Sequence, residues 1–383
     1  MARIVCDAIP FCYGPAAALL NLGHVLKRRG FDLTAIGSGT TAELISGDPS
    51  FELITCDDSS KRIKLIRSLV QGADAYINVM DPETYFGVGD LAVPKVYIDF
   101  LFWMFSPLFA GSELQADLYV IENYPGAKER LNQYHDLVRS PVLVPPLIEV
   151  AAVAQQTDTR KLLISVGGLE SRWTHVGSNT NYAFVIIPLV LKAARRIGGF
   201  DKILVTGGRR AMQQLAECYS DSQTSFAQLA HHDFLKELRT ATVLVTHPGL
   251  YTPFEGFAHG IPTLLLPSSN YTQILQLRFY HAARIADAAL DWEDLGIVPT
   301  AGPVPEGLPE EVGVQRVLDC IEIFEKLPEA QRILVKQLAQ GLDGALREPE
   351  SIVRLQNEFY RSLSWASGPE LAAAAIANLL GYQ

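Results

Sequence analysis

Short apolar runs alternate with amphipathic stretches along most of the chain. In the first half the runs that read as strands are residues 4–8, 32–36, 51–55, 75–79, 95–99, 118–121 and 142–144. Helical patterns lie between them, clearest at 15–29 and 60–70. The first of these ends in Lys27-Arg28-Arg29 followed by Gly30, a basic last turn and a glycine stop. Strand and helix alternating in this way predict βαβ units and a parallel sheet covered on both faces.

Pro145-Pro146 and the polar stretch 155–159 then interrupt the pattern as a linker. A second series starts at 160–168, with further strands at 202–206, 243–246 and 263–266. Its helices are expected at 181–196, 209–219, 233–240 and 271–288. A Gly/Pro-rich stretch at 300–309 precedes a mostly helical end, including 312–326 and an Ala-rich tail at 370–380. The reading is an α/β chain with two Rossmann-like domains and parallel sheets: residues 1–150, residues 160–345, and terminal helices at 346–383 that cross back to the first domain. Open sheets of this kind bind ligands at the carboxyl ends of their strands, so two facing sheets predict one deep cleft.

Composition narrows the function. At roughly 150 residues per domain, 383 residues suffice for two or three separate cores. With 32 basic against 42 acidic side chains the net charge is −10, and no Lys/Arg run occurs, which argues against a general nucleic-acid binder. An anion site built from backbone amides needs no net charge and stays open. Cys6, Cys12, Cys56, Cys218 and Cys320 are odd in number and form no CxxC pair. They suit neither a zinc cage nor a disulfide framework and read as reduced thiols of a cytoplasmic protein. The opening Ala2-Arg3-Ile4-Val5-Cys6 reads as a strand rather than a signal peptide. Uncharged stretches such as 100–112 are too short to span a bilayer, so no stable membrane insertion is expected. The oligomeric state is left open.

The informative stretch runs from 241 to 276. A strand ends in His247-Pro248-Gly249-Leu250-Tyr251, and a helix begins with Thr252-Pro253-Phe254-Glu255. Gly260-Ile261-Pro262 turns the chain into a second strand, which ends at Pro267 before Tyr271-Thr272-Gln273. A strand, a glycine turn and a helix start put amide donors and the positive end of the helix dipole where an anion could dock. The same residues also fit a plain capping box, with Thr252 as N-cap, Pro253 at N1 and Glu255 at N3. His247 equally fits a packing residue at a strand end.

This stretch resembles the nucleotide-sugar site of glycosyltransferases of the GT-B architecture, which includes the UDP-glycosyltransferases and the MurG-like enzymes. The residues that carry the resemblance are His247, Gly249, Thr252 and Glu255, then Gly260-Ile261-Pro262, Pro267 and Gln273. The resemblance implies that His247, Thr252 and the amides of Leu250 and Tyr251 after Gly249 contact the diphosphate. It implies Glu255 on the ribose hydroxyls and Gln273 on the donor sugar. The Gly167-Gly168 loop would approach the donor phosphates, although a Gly-Gly pair is often only a turn, as Gly207-Gly208 also reads. The segment with His231-His232 would hold the nucleobase through backbone at Ala230 or His231. Adjacent histidines on a helix diverge and no third ligand is suitably spaced, so no metal is expected, and no cofactor beyond the nucleotide-sugar co-substrate.

Two positions depart from the family pattern. Many inverting relatives carry a catalytic histidine in the loop after the first strand, and residues 7–15 contain none. His24 falls well inside the following helix and reads as structural. A general base must lie within hydrogen-bond reach of the proton it takes. Asp7 and Asp99 at strand ends are the first choices, ahead of Asp81 and Glu122, although aspartates there also cap turns. Thr272-Gln273 replaces the acidic residue plus glutamine of many relatives, which leaves room for amino or deoxy sugars. The aromatic run 97–105 fits either an acceptor platform or core, and Trp173 and His175 in the polar stretch 170–179 fit either a cleft cover or a surface loop. The function implied is transfer of a sugar from a UDP or dTDP donor to the hydroxyl or amine of a small-molecule acceptor, in natural-product (antibiotic) biosynthesis. The alternatives are a nucleotide-sugar epimerase or hydrolase on the same plan, and a non-catalytic nucleotide-binding partner.

Overall fold

The computed structural model describes residues 2–104, 116–150, 158–167, 169, 180–285, 290–297 and 310–382. The chain divides into two compact units, one made of Met1–Glu149 with Ser362–Gln383, the other of Val150–Arg361.

The first unit runs β1 (Arg3–Ala8), α1 (Gly14–Arg28), β2 (Asp32–Gly37), α2 (Gly39–Ile45), β3 (Phe51–Thr55), α3 (Ser59–Val70), β4 (Ala75–Val79), α4 (Pro82–Gly87), β5 (Lys95–Asp99), β6 (Leu118–Glu122), α5 (Ala127–Tyr134) and β7 (Pro141–Val144). These strands form one sheet in the order β3-β2-β1-β4-β5-β6-β7. Every pairing is parallel, which is why β1, β4, β5 and β6 read as mostly apolar runs: both faces are covered. Tyr76, Tyr97, Phe102 and Tyr119 pack together in its core, with the rings of Tyr97 and Tyr119 5.3 Å apart. Most of the aromatic run is therefore core, while its last member, Phe105, lies outside the described residues.

The second unit follows with β8 (Lys161–Val166), α6 (Thr180–Ile197), β9 (Lys202–Gly207), α7 (Arg209–Tyr219), β10 (Thr224–Ala227), α8 (His231–Arg239), β11 (Val243–Thr246), α9 (Thr252–His259), β12 (Thr263–Leu265), α10 (Tyr271–Ala282), α11 (Glu310–Glu325), α12 (Pro328–Arg347) and α13 (Pro349–Leu363). Its sheet is also all parallel, in the order β10-β9-β8-β11-β12. The edge strand β12 is closed by one side chain from α13. Gln356 Oε1 accepts from Thr263 N at 3.1 Å, and its Nε2 donates to Thr263 O at 2.7 Å, as a neighbouring strand would.

The chain then returns to the first unit as α14 (Gly368–Leu379). Arg28 and Arg29 at the end of α1 reach Glu370 at 3.0 and 2.9 Å and hold its carboxyl below the usual range. Gly368 sits so close to the turn after β7 that a Cβ there would lie 2.2 Å from the carbonyl oxygen of Pro145.

The edge strand β10 has no counterpart in the apolar pattern, because Thr224–Ala227 is short and half polar. Helix α10 ends at Ala282, where residue 288 was expected, and Arg284 just beyond it adopts a left-handed φ of 55°. No described helix is long and apolar enough to cross a membrane.

Each sheet has one point where strand order reverses, between β1 and β4 in the first and between β8 and β11 in the second. Connections leave such a pair on opposite faces, which opens a crevice at the carboxyl ends.

Candidate functional site

In the second unit the crevice is bounded by Gly167 after β8 and His247 after β11. A hydrogen bond spans it: His247 Nε2 lies 2.7 Å from the Gly167 carbonyl oxygen. The other ring nitrogen, Nδ1, lies 2.7 Å from Gln273 Nε2 on α10, and Gln273 Oε1 accepts from Ser269 N at 2.7 Å and Ser269 Oγ at 3.0 Å. Burial depresses the pKa of His247, so the ring is neutral at pH 7. Gly168 lies outside the described residues, as do Trp173 and His175.

The turn after His247 folds onto itself. Gly249 N donates to His247 O at 2.8 Å, and Tyr280 OH donates to Gly249 O at 2.6 Å. Helix α9 then starts with Tyr251 as its N-cap and Pro253 in the first turn, and no side chain caps it. The capping box is thus not formed: Thr252 is inside the helix, and Glu255 is buried beside His231, 3.4 Å from its Nε2. A helix start carries amide donors and the positive end of the helix dipole. From His247 to Phe257 only Gly249 and Thr252 are even partly exposed, while Leu250 and Tyr251 are buried. Gly249 and Thr252 are thus the most open part of this turn.

His231 opens α8 and is buried, whereas the neighbouring His232 points outward to Asp233 at 3.3 Å. Among the described residues no three metal-ligating side chains converge. Gly207 ends β9 with Met212 and the Val166 carbonyl so close that a Cβ would be crowded, which makes it a packing glycine.

The crevice of the first unit is filled by its own side chains. Asp7, fully buried at the end of β1, takes Tyr76 OH at 2.5 Å and Asn78 Nδ2 at 2.9 Å on one oxygen. Thr84 Oγ1 at 2.7 Å and Arg62 Nη2 at 3.1 Å occupy the other. Arg62 comes from α3 and also reaches Asp81 at 3.3 Å, while Asp81 caps α4. Burial pushes the Asp7 carboxyl up to about 6 against the pull of Arg62. Asp99 likewise accepts from Leu101 N at 2.7 Å and Tyr119 OH at 2.8 Å, and burial raises it to about 6. Glu122 is buried and accepts from Leu147 N at 2.9 Å. A base needs a lone pair that the incoming proton can reach. Asp7 is walled in by four donors, and Asp99 is committed to a turn and a core tyrosine.

His24 is held by Asp48 at 2.8 Å and Glu149 at 3.6 Å, hydrogen bonds that raise it to about 9, so it is a cation at pH 7. One pair escaped the sequence reading. Tyr13, at the start of α1, donates to Glu43 Oε2 on α2 at 3.0 Å, and both residues are partly exposed at the carboxyl edge beside β1. Tyr13 stands in the loop searched for a histidine, but a partner 30 residues away leaves no local signal.

No family model matches the sequence, and no curated protein matches it either. Solved structures do. The calicheamicin glycosyltransferase CalG4 is similar with a TM-score of 0.52 at 14% identity, over 100% of this chain and 98% of that one. The spinosyn forosaminyltransferase SpnP is similar with a TM-score of 0.61 at 10% identity, over 99% of both chains. UGT71G1 of Medicago truncatula, solved with UDP-glucose, is similar with a TM-score of 0.58 at 10% identity, over 99% of this chain and 98% of that one. The chain has the GT-B fold. At these identities the likeness fixes the architecture, and the chemistry must be argued from the residues of this GT-B chain itself.

Proposed function

We propose that this GT-B protein is a glycosyltransferase that takes a nucleoside diphosphate sugar, with UDP or dTDP as its nucleotide, on the second unit. In this reading the first unit shapes the pocket for a small-molecule acceptor hydroxyl or amine. The observation that carries it is the start of α9 beside the reversal of strand order, where from His247 to Phe257 only Gly249 and Thr252 are partly exposed. Amides at such a point, with the Thr252 hydroxyl, suit a departing diphosphate, and stabilising that charge is the main catalytic term. His247 and the amides of Leu250 and Tyr251 complete the phosphate side, with Gly167 opposite. Glu255, held near His231, takes the ribose, and the base rests on the backbone around Ala230 and His231. Neither a metal nor a further cofactor enters this chemistry. Asp7 and Asp99 we read as struts of the first sheet, and Glu43, oriented by Tyr13, as the base for the acceptor proton. The names of CalG4 and SpnP favour natural-product chemistry as the setting, and five cysteines with no CxxC pair favour the cytoplasm.

Calorimetry with UDP and dTDP tests the reading. One of the two should bind, and Glu255→Ala should weaken it about tenfold or more, the scale of one hydrogen bond to a charged group, with the fold retained. No heat with either nucleotide overturns the assignment.

A further inference from the structure

The hydrogen bonds around His247 run in one direction and fix every proton. The Ser269 amide can only donate, so the Gln273 atom 2.7 Å from it is the oxygen, and the Ser269 hydroxyl meets the same oxygen at 3.0 Å. The atom 2.7 Å from His247 Nδ1 is therefore the Gln273 nitrogen, which can only donate. Nδ1 must then hold a lone pair, and the single ring proton sits on Nε2, 2.7 Å from a carbonyl oxygen that can only accept. The far end of this relay is itself fixed. Tyr182 OH binds the Pro267 carbonyl at 2.5 Å, Trp292 Nε1 binds that of Ser268 at 3.0 Å, and Asn270 caps α10 through Gln273 N at 3.0 Å. Gln273 is buried and both ends of its amide are engaged inside the protein.

We propose, resting on the reading above, that Gln273 is a positioning residue and not a ligand of the donor sugar. It holds His247 in the Nε2–H tautomer, so that the one ring proton is presented across the crevice at the Gly167 end, where the diphosphate docks. The Gly167 carbonyl occupies that proton in the nucleotide-free protein, and a phosphate oxygen of the donor competes for it. A carboxylate at 273 offers only lone pairs, so it forces a proton onto Nδ1. An apolar side chain there leaves the tautomer unset.

The two roles separate in an experiment with and without the sugar. In the full-length protein, Gln273→Met should weaken UDP about tenfold or more and UDP-glucose by the same factor, because the loss lies on the diphosphate. A sugar ligand would lose affinity for UDP-glucose alone, and UDP affinity unchanged in the variant overturns the proposal. The second measurement uses protein labelled with ¹⁵N in its histidine rings, the His247 signals being identified by their loss in His247→Gln. The unsubstituted protein should show a neutral ring protonated on Nε2, and Gln273→Glu should show a proton on Nδ1. An Nδ1–H tautomer or an imidazolium in the unsubstituted protein at pH 7 overturns the proposal, whether or not the variants fold. Should the unsubstituted protein bind no nucleotide, the glycosyltransferase reading fails, and the ring spectrum still decides the role of Gln273.

Discussion

The two sheets reverse strand order in the same way and treat the resulting crevice differently. Between β1 and β4 it is filled with charge: two aspartates share one buried arginine, and a tyrosine, an asparagine and a threonine saturate what remains. Between β8 and β11 it is spanned by a neutral relay, beside a helix start that no side chain caps. The first arrangement commits the Arg62 Nη2 and both Asp7 oxygens to one another and to neighbouring side chains. The second keeps Gly249 and Thr252 partly exposed beside the start of α9. Topology supplies a crevice in both units, and side chains decide which one can receive a ligand.

The largest effect expected from this contrast is on stability. Asp7→Ala strips Arg62 of a buried partner and should destabilise the first unit by about 3–5 kcal/mol in a urea titration. If Asp7 were the base instead, the variant would keep its stability and lose turnover. Next, Glu43→Gln should lower kcat by about 10²–10⁴-fold while leaving UDP affinity unchanged, as steady-state kinetics and calorimetry would show. An unaltered kcat removes Glu43 from the mechanism. Thr252→Val should weaken UDP about tenfold by calorimetry, since it removes the one hydroxyl the turn exposes. An unchanged affinity would leave the backbone as the whole of the phosphate site.

The smallest effect is a divergence with pH. Asp99 is raised to about 6 in the folded state, so its contribution is complete below about 4 and is lost as pH rises through 6. His24, raised to about 9 by Asp48 and Glu149, contributes fully below about 6.5 and loses that as pH rises through 9. Its partners are partly solvated, so the loss is about 1–2 kcal/mol. His247 is depressed, and its contribution is present above about 6.5 and lost as pH falls. Calorimetric scans at pH 5 and pH 8 should move the first unit down and the second unit up as pH rises. Parallel movement would contradict the account of the two crevices.

Long apolar runs made the sheets legible in the sequence. Phe51–Thr55, Ala75–Val79, Lys95–Asp99 and Val243–Thr246 begin and end where the alternation of apolar and polar residues puts them. The strand at Thr224–Ala227 and the short helices α2 and α4 escaped because so few residues carry no period. The turn at His247–Glu255 was legible as a place and less so as an arrangement. Its spacing fitted a capping box, but the cap is Tyr251, and Glu255 faces a histidine 24 positions earlier in the chain. Gln273 was visible as a motif residue that the resemblance puts on the donor sugar. That its amide is engaged by His247 and Ser269 is a fact of tertiary packing, with no trace in local sequence.

The return of α14 carries a consequence for synthesis. The second unit is one uninterrupted stretch, Val150–Arg361, while the first is assembled from both ends of the chain. A ribosome delivers the whole sheet of the first unit early, yet the helix tied to Arg28 and Arg29 through Glu370 emerges only after the second unit. The unit begun first is thus the one completed second, and until then the surface reserved for that helix stays uncovered.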